Sequence, residues 1–325
     1  MNQTTVSENP FFIVGAPRSG TTLLQYMLRS HRNLSLPTGE SHFFVPLYRN
    51  RDKFGDLGTK ANIRRVLEVM YRQSAEFLDT DLHGIRFDIE RLTDDFHREG
   101  RDTIPLILSG LYEKNAAGEG KRRWGEKTPY YVLQMPLILE MFPGARFIHL
   151  IRDGRDVLLS LFGRRDDFGV YNSYYGAKYW EYYVATGQHL GRQLGPAQYL
   201  EIRYEDLVRD PGPVVRRILD FLEEPFDPAV INFRKSGEPG KTPLLQRGLQ
   251  SDNLGKWRKK LNRRQLLLFE GAAGTLLYVN GYSLTTHARP TPFPIRIASR
   301  FHNAWVRKYR RWLTRCYTHH QTTSA

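Results

Sequence analysis

The stretch Phe11-Phe12-Ile13-Val14-Gly15-Ala16-Pro17-Arg18-Ser19-Gly20-Thr21-Thr22-Leu23-Leu24 constrains this chain more than any other. Four apolar residues without alternation suit a strand buried on both faces. Small, hydroxylated and glycine-bearing residues follow, and then an apolar pattern with helical spacing resumes. Strand, loop and helix in that order put backbone N–H groups and the positive end of a helix dipole at the loop, which suits an anion. The spacing Gly15-x-x-x-x-Gly20-Thr21-Thr22 matches a Walker A phosphate loop, except that Thr21 stands where a lysine is required. A nucleoside-triphosphate hydrolase or kinase needs that lysine on the phosphates and an acidic residue to help hold magnesium. Neither is evident here. Arg18 instead offers a planar donor fork inside the loop, suited to an oxyanion.

A second buried strand is expected over Arg146-Phe147-Ile148-His149-Leu150-Ile151, introduced by the turn Pro143-Gly144. It runs into Arg152-Asp153-Gly154-Arg155-Asp156, so its carboxyl end delivers arginine rather than a magnesium-binding aspartate. Ser160 falls two turns into the following helix and Arg164 one turn beyond. The ligand is therefore expected to carry anionic groups at two separated points.

At these two stretches the sequence resembles the sulfotransferases that use 3′-phosphoadenosine 5′-phosphosulfate (PAPS). Ala16-Pro17-Arg18-Ser19-Gly20-Thr21-Thr22 is similar to the family's 5′-phosphosulfate loop, and Arg152-Asp153-Gly154-Arg155 with Ser160 is similar to its 3′-phosphate motif. Glu126-Lys127-Thr128-Pro129, Tyr204-Glu205-Asp206-Leu207 and Gly255-Lys256-Trp257 follow in the family's order, so the resemblance covers roughly residues 10–260. It implies a parallel β-sheet flanked by helices, of the P-loop nucleoside-triphosphate-hydrolase-like type. It also implies sulfuryl transfer from PAPS to an acceptor hydroxyl, with adenosine 3′,5′-bisphosphate as the product and no metal. Glu40 occupies the position where some branches, tyrosylprotein sulfotransferases among them, have a glutamate base; other branches use histidine, which makes His42 the rival. The family counterpart of Lys127 reaches the sulfate and the bridging oxygen, a task Arg18 could share. Nucleotide contacts are implied for the loop residues and for Arg152, Ser160, Arg164, Tyr204, Ser251 and Lys256, with buried packing the competing reading for Tyr204. A segment like Gly255-Lys256-Trp257 serves the family as a lid.

Length and composition allow one large α/β domain, expected over 10–285, with a basic extension over 286–325. The polar start Met1–Asn9 and the lack of a long apolar run predict a soluble, cytoplasmic protein, and the single Cys316 fits a reducing compartment. A short second strand is expected at Leu34–Leu36, leading to Glu40. An amphipathic helix is expected over about 61–78, with further helices over 104–112 and 130–141 and a loop over 115–121. The aromatic run from Tyr171 to Tyr183 reads as a helix with an apolar stripe, and Tyr199–Ile202 as a further strand.

Of the net charge of +14, the residues from Thr286 onward contribute eight basic side chains and no acidic one. Phe301, Trp305, Tyr309, Trp312 and Cys316 recur there at helical spacing among arginines. Such a helix suits peripheral contact with a membrane surface, docking on the body or, third, nucleic acid. Two other function classes remain open at this level: a P-loop kinase, and a non-catalytic anion or nucleic-acid binder.

Overall fold

The computed structural model describes residues 9–73, 85, 87–233, 253–287 and 289–322. Its contacts divide the chain into two compact units, Met1–Ile151 with Gly187–Ser251, and Arg152–Thr186 with Asp252–Ala325. The position 286, expected to begin the extension, therefore lies inside the second unit. Among the described residues no helix is long and apolar enough to cross a membrane.

The first unit is built on a five-stranded sheet in the order β2-β3-β1-β4-β5, with every pairing parallel. The strands are β1 (Phe11–Gly15), β2 (Leu34–Ser35), β3 (Arg123–Lys127), β4 (Arg146–Ile151) and β5 (Tyr199–Arg203). Parallel neighbours need crossovers, and the chain supplies them as helices, beginning with Thr21–Arg29 directly after β1. From the central β1 the order runs to β3 and β2 on one side and to β4 and β5 on the other. That reversal makes the carboxyl end of β1 the place where an open sheet receives a ligand.

β1, β4 and β5 match the expected strands, and the second strand is only Leu34–Ser35 at one edge. β3 is the strand the sequence pattern does not show. Arg-Trp-Gly-Glu-Lys has three charged residues and a glycine, yet all five residues are buried. Gly125 is required there, because a Cβ at that position would stand 2.4 Å from the Phe11 ring. Aromatic rings fill the adjoining core. Phe12 lies 5.6 Å from Phe147 in a stacked arrangement and meets Phe44 and Trp124 edge-on at 6.1 and 6.0 Å.

Two expectations are corrected. The helix Ile104–Gly118 continues through the residues expected to form a loop, because Asn115-Ala116-Ala117 is compatible with helix and the turn waits for Gly120, at φ 67°. The expected helix over 130–141 is a 3-10 turn, Pro129–Gln134, followed by a helix Met135–Met141; Pro136 is tolerated only in a first turn, so the α-helix restarts there. The tail helix that carries Phe301, Trp305, Tyr309 and Trp312 runs from Phe293 to Thr322, with Pro294 in its first turn. The helix Lys60–Gln73 covers part of the expected 61–78, whose remainder lies outside the described residues.

Candidate active site

In the first unit, the loop after β1 turns through two left-handed residues, Arg18 at φ 73° and Gly20 at φ 95°. Only glycine suits the second, since a Cβ there would lie 2.4 Å from the Tyr204 ring. Tyr204 is buried and opens the helix Tyr204–Arg209 at the end of β5, so β5 delivers a ring against the loop's backbone. Thr21 and Thr22 begin the helix Thr21–Arg29, whose first turn points free N–H groups into the loop. Ser19 is fully buried, and its Oγ has no hydrogen-bond partner among the described residues. A buried, unsatisfied hydroxyl at a helix N-terminus fits a phosphate-like oxyanion, because it is costly unless something accepts from it or donates to it.

β2 leads towards Glu40 through a tethered bend. Gln25 on the helix after β1 donates to Pro37 O at 2.5 Å, and Lys121 donates to Leu34 O at 2.9 Å. Beyond the bend, Ser41 is anchored to β3. Both its N–H and its Oγ donate to Glu126 Oε1, at 3.3 and 3.0 Å, and Thr128 Oγ1 donates to the same oxygen at 2.6 Å. With Ser41 fixed, the Glu40 carboxylate meets the next residue of β3: Lys127 Nζ donates to Glu40 Oε1 at 2.6 Å. His42, at φ 50°, turns its ring back so that Nε2 lies 3.1 Å from Glu40 Oε2. The sequence thus brings Glu40, His42 and Lys127 into one constellation.

The electrostatics of the two glutamates are opposite. Burial pushes the Glu40 pKa up, but the charge of Lys127 and the hydrogen bonds from His42 and Lys127 outweigh it and hold it at about 2. The hydrogen bond to Glu40 raises His42, against the effect of its own burial, so His42 favours the imidazolium beside the carboxylate. Glu126 is 1% exposed, and burial carries its pKa up to about 7 despite its hydrogen-bond donors and Lys127. Neither Glu126 nor Ser41 stands out in sequence as a site residue, although Glu126-Lys127-Thr128-Pro129 is one of the family-like segments.

In the second unit, Arg152 is buried, and Trp180 holds its backbone by donating to Arg152 O at 3.0 Å. The Arg152 guanidinium donates to Asn253 O at 2.8 Å. Asp156, one turn along, accepts from both Gly255 N at 2.7 Å and Trp257 N at 2.9 Å, so one carboxylate grips the backbone on either side of Lys256. Arg155 has a different job from Arg152. It bonds Asp153 and Glu270, at 2.8 and 2.7 Å, and its guanidinium carbon stands 3.6 Å over the Trp257 ring. Ser160 lies on the helix Gly154–Gly163, as expected. Arg164 does not continue that helix. It caps it with non-helical backbone, is exposed, and pairs with Asp167. Ser251 lies outside the described residues, whereas the lid-like Gly255-Lys256-Trp257 lies within them.

A sequence profile of the sulfotransferase family matches residues 10–228, a range that contains the phosphate loop, the Glu40 constellation and Arg152. The chain belongs to this family. Among relatives of the sulfotransferase chain, an uncharacterised protein of Aquifex aeolicus is 29% identical over 264 residues, covering 78% of this chain and 31% of that one. A protein-tyrosine sulfotransferase of Drosophila melanogaster is 24% identical over 249 residues, covering 75% and 44%. The chain thus spans less than half the length of either relative. The sulfotransferase domain of the Synechococcus PCC 7002 olefin synthase has the same fold, with a TM-score of 0.55 at 24% identity over 86% of this chain and 97% of that domain.

The two buried states of Glu126 make stability depend on pH. The folded protein keeps the Glu126 proton up to about 7, whereas an unperturbed glutamate carboxyl releases it near 4.5. The folded state then binds the extra proton between those values, so the Glu126 contribution to stability is greatest below about 4.5 and is lost as pH rises through 7, by on the order of 3 kcal/mol. Glu126→Gln keeps an acceptor for Ser41 and Thr128 but cannot ionise. Its unfolding midpoint should fall less than that of the parent between pH 5 and pH 8.5, and parallel curves for the two proteins would refute the protonated state.

Proposed function

We propose that this chain is a PAPS-dependent sulfotransferase acting on a hydroxyl-bearing acceptor, with Glu40 as general base and Lys127, assisted by Arg18, on the leaving-group side. The observation that carries this reading is the Glu40–Lys127 contact, which sets a carboxylate and a buried ammonium together in the unit that holds the phosphate loop. PAPS supplies the sulfuryl group and, as its leaving group, a 5′-phosphate. The residues at the loop fit such an anion: the Ser19 hydroxyl, the N–H groups opening the helix at Thr21 and Thr22, and the Arg18 fork. Ala16, Pro17 and Gly20 shape the turn, and Tyr204 backs it. Arg152, Ser160 and Lys256 are assigned to the 3′-phosphate, with Asp156 as the positioning residue that holds Lys256 in place.

Lys127 Nζ offers its donors where negative charge develops on the leaving side, an interaction that strengthens in the transition state. Glu40 takes the proton of the acceptor hydroxyl. A carboxylate held near 2 is ionised at every working pH, yet it is a weak base towards a neutral alcohol. Proton transfer is therefore late: the hydroxyl becomes acidic enough only as its oxygen bonds to sulfur. His42, favouring its charged form, orients Glu40 rather than competing with it.

The first test is thermal unfolding with adenosine 3′,5′-bisphosphate and, separately, with ATP and magnesium. At a hundred times its dissociation constant the bisphosphate stabilises by about 2.7 kcal/mol, a rise of several degrees in Tm. A rise with magnesium–ATP alone would favour a kinase instead. In assays of bisphosphate release over hydroxyl acceptors that include tyrosyl peptides, Glu40→Gln should abolish transfer while its thermal shift with the bisphosphate is retained. Lys127→Ala should lower turnover by about 10²–10³, and a loss smaller than about threefold would remove Lys127 from the mechanism. Asp156→Asn loses one of two charge-assisted acceptors, so the bisphosphate Kd should rise by about tenfold with kcat nearly constant. An unchanged Kd would sever Asp156 from the nucleotide.

A further inference from the structure

The tail helix Phe293–Thr322 is attached to the second unit by one edge. Asn303, 2% exposed, is the centre of that edge: its side chain donates to Gly169 O at 2.8 Å and accepts from Tyr171 N at 2.7 Å. Asn172 donates to Ser299 O at 2.8 Å, one turn earlier on the same side. Arg310 approaches Asp166 at 3.8 Å, and Arg307 lies against Gly169. These contacts fix which way the helix faces within its unit.

At about 100° per residue, Phe301, Trp305, Tyr309 and Trp312 share a sector of about 80° on the side away from Asn303. Their exposures are 71, 67, 47 and 57%. Trp305 stacks on Tyr309 at 5.8 Å, and Tyr309 stacks on Trp312 at 6.0 Å, so the rings form one ridge along the helix. Arg300, Lys308 and Arg311 are exposed along the flank of that ridge, and the helix sequence contains no acidic residue.

We propose that this ridge is a membrane-binding surface, by which the helix lies in the plane of an anionic bilayer with its rings in the headgroup region and its flanking cations against the lipid charges. A single-sided apolar ridge bordered by arginine and lysine is what an interfacial helix requires, and tryptophan and tyrosine favour that depth. Charge complementarity selects an anionic surface, such as the cytoplasmic leaflet. A second copy of this chain fits poorly, because pairing two such helices would bring arginine against arginine. Single-stranded nucleic acid stacks its bases on exposed aromatic faces along a basic groove. Here the faces of Trp305, Tyr309 and Trp312 are stacked on one another, and the surface is a ridge. The proposal is independent of the nucleotide chemistry.

The test is cosedimentation of the full chain with vesicles of phosphatidylcholine alone or with about one third phosphatidylglycerol, near 0.1 M salt. Binding is expected to the anionic vesicles and to be at least about tenfold weaker to the neutral ones. Trp305→Ala with Trp312→Ala should lower the partition by about tenfold or more. At about fivefold per charge, Arg300→Ala with Arg311→Ala should lower it by about twenty-fivefold on anionic vesicles only. All four side chains are exposed, so unfolding midpoints should match the parent and show that both variants fold. The proposal is overturned by any of three results: no binding of the intact chain to anionic vesicles, parental binding by the aromatic variant, or tighter binding to a single-stranded oligonucleotide than to the vesicles. A concentration-dependent dimer abolished by the aromatic variant would also overturn it, assigning the ridge to a second copy.

Discussion

Two adjacent ionisable residues on a buried strand, Glu126 and Lys127 of β3, impose the arrangement on which the first unit's chemistry rests. A lysine buried to 3% exposure needs a partner, and Glu40 provides it. A buried carboxylate needs donors, and Ser41 and Thr128 provide them. Since Glu40 and Ser41 are consecutive, both requirements are met by one bend of chain following β2. The short pairing of Leu34 with Arg123 and of Ser35 with Trp124 places that bend, and the aromatic core around Phe12 and Trp124 holds the two strands in position. Charge satisfaction and sheet register thus specify the same geometry, and neither could shift by a residue without leaving the other unmet.

Much of this scaffold is legible in the sequence. Phe11–Val14 and Phe147–Ile151 read as strands because both faces of each are covered, which removes the need for alternation. The phosphate loop is legible because its glycine spacing precedes an apolar helical pattern. β3 is not, since its charged residues are the signature of a surface segment and their burial is explained only by partners distant in sequence, at positions 40 and 41. Glu40 and Lys127 could be named through resemblance, but the direct ion pair between them could not. Asp156 was equally hidden: an aspartate in the first turn of a helix ordinarily serves the helix dipole, whereas this one bonds backbone N–H groups of Gly255 and Trp257, about a hundred residues away in sequence. Arg155, in the same motif as Arg152, has its guanidinium engaged by Asp153, Glu270 and the Trp257 ring and so serves structure.

The physical economy of the second unit follows from that division between neighbouring arginines. Arg155 fixes Trp257 from below, Asp156 fixes the backbone on both sides of Lys256, and Trp180 fixes the backbone of Arg152. The main chain at Arg152 and on either side of Lys256 is therefore held in place before any ligand binds, and the Arg152 guanidinium is steadied further by Asn253 O. Preorganisation of this kind lowers the ordering cost that long cationic side chains otherwise meet on binding an anion.

The tail helix obeys a different constraint. A body with this much apolar sequence can bury its aromatic residues, and Trp124, Trp180 and Trp257 are buried to 2% exposure or less. Trp305 and Trp312 are not, although the helix that carries them is seated by polar contacts through Asn303, Asn172 and Arg310. A helix retained only for stability would turn its apolar stripe inward, where burial of each large ring is worth about 1.5–3 kcal/mol. Here the polar edge is inward and the rings are outward, so the seat fixes the orientation of the helix while leaving its apolar surface for an outside partner. The absence of acidic residues from Phe293 to Thr322 then favours an anionic partner, and a one-sided ridge suits the proposed membrane surface better than a groove.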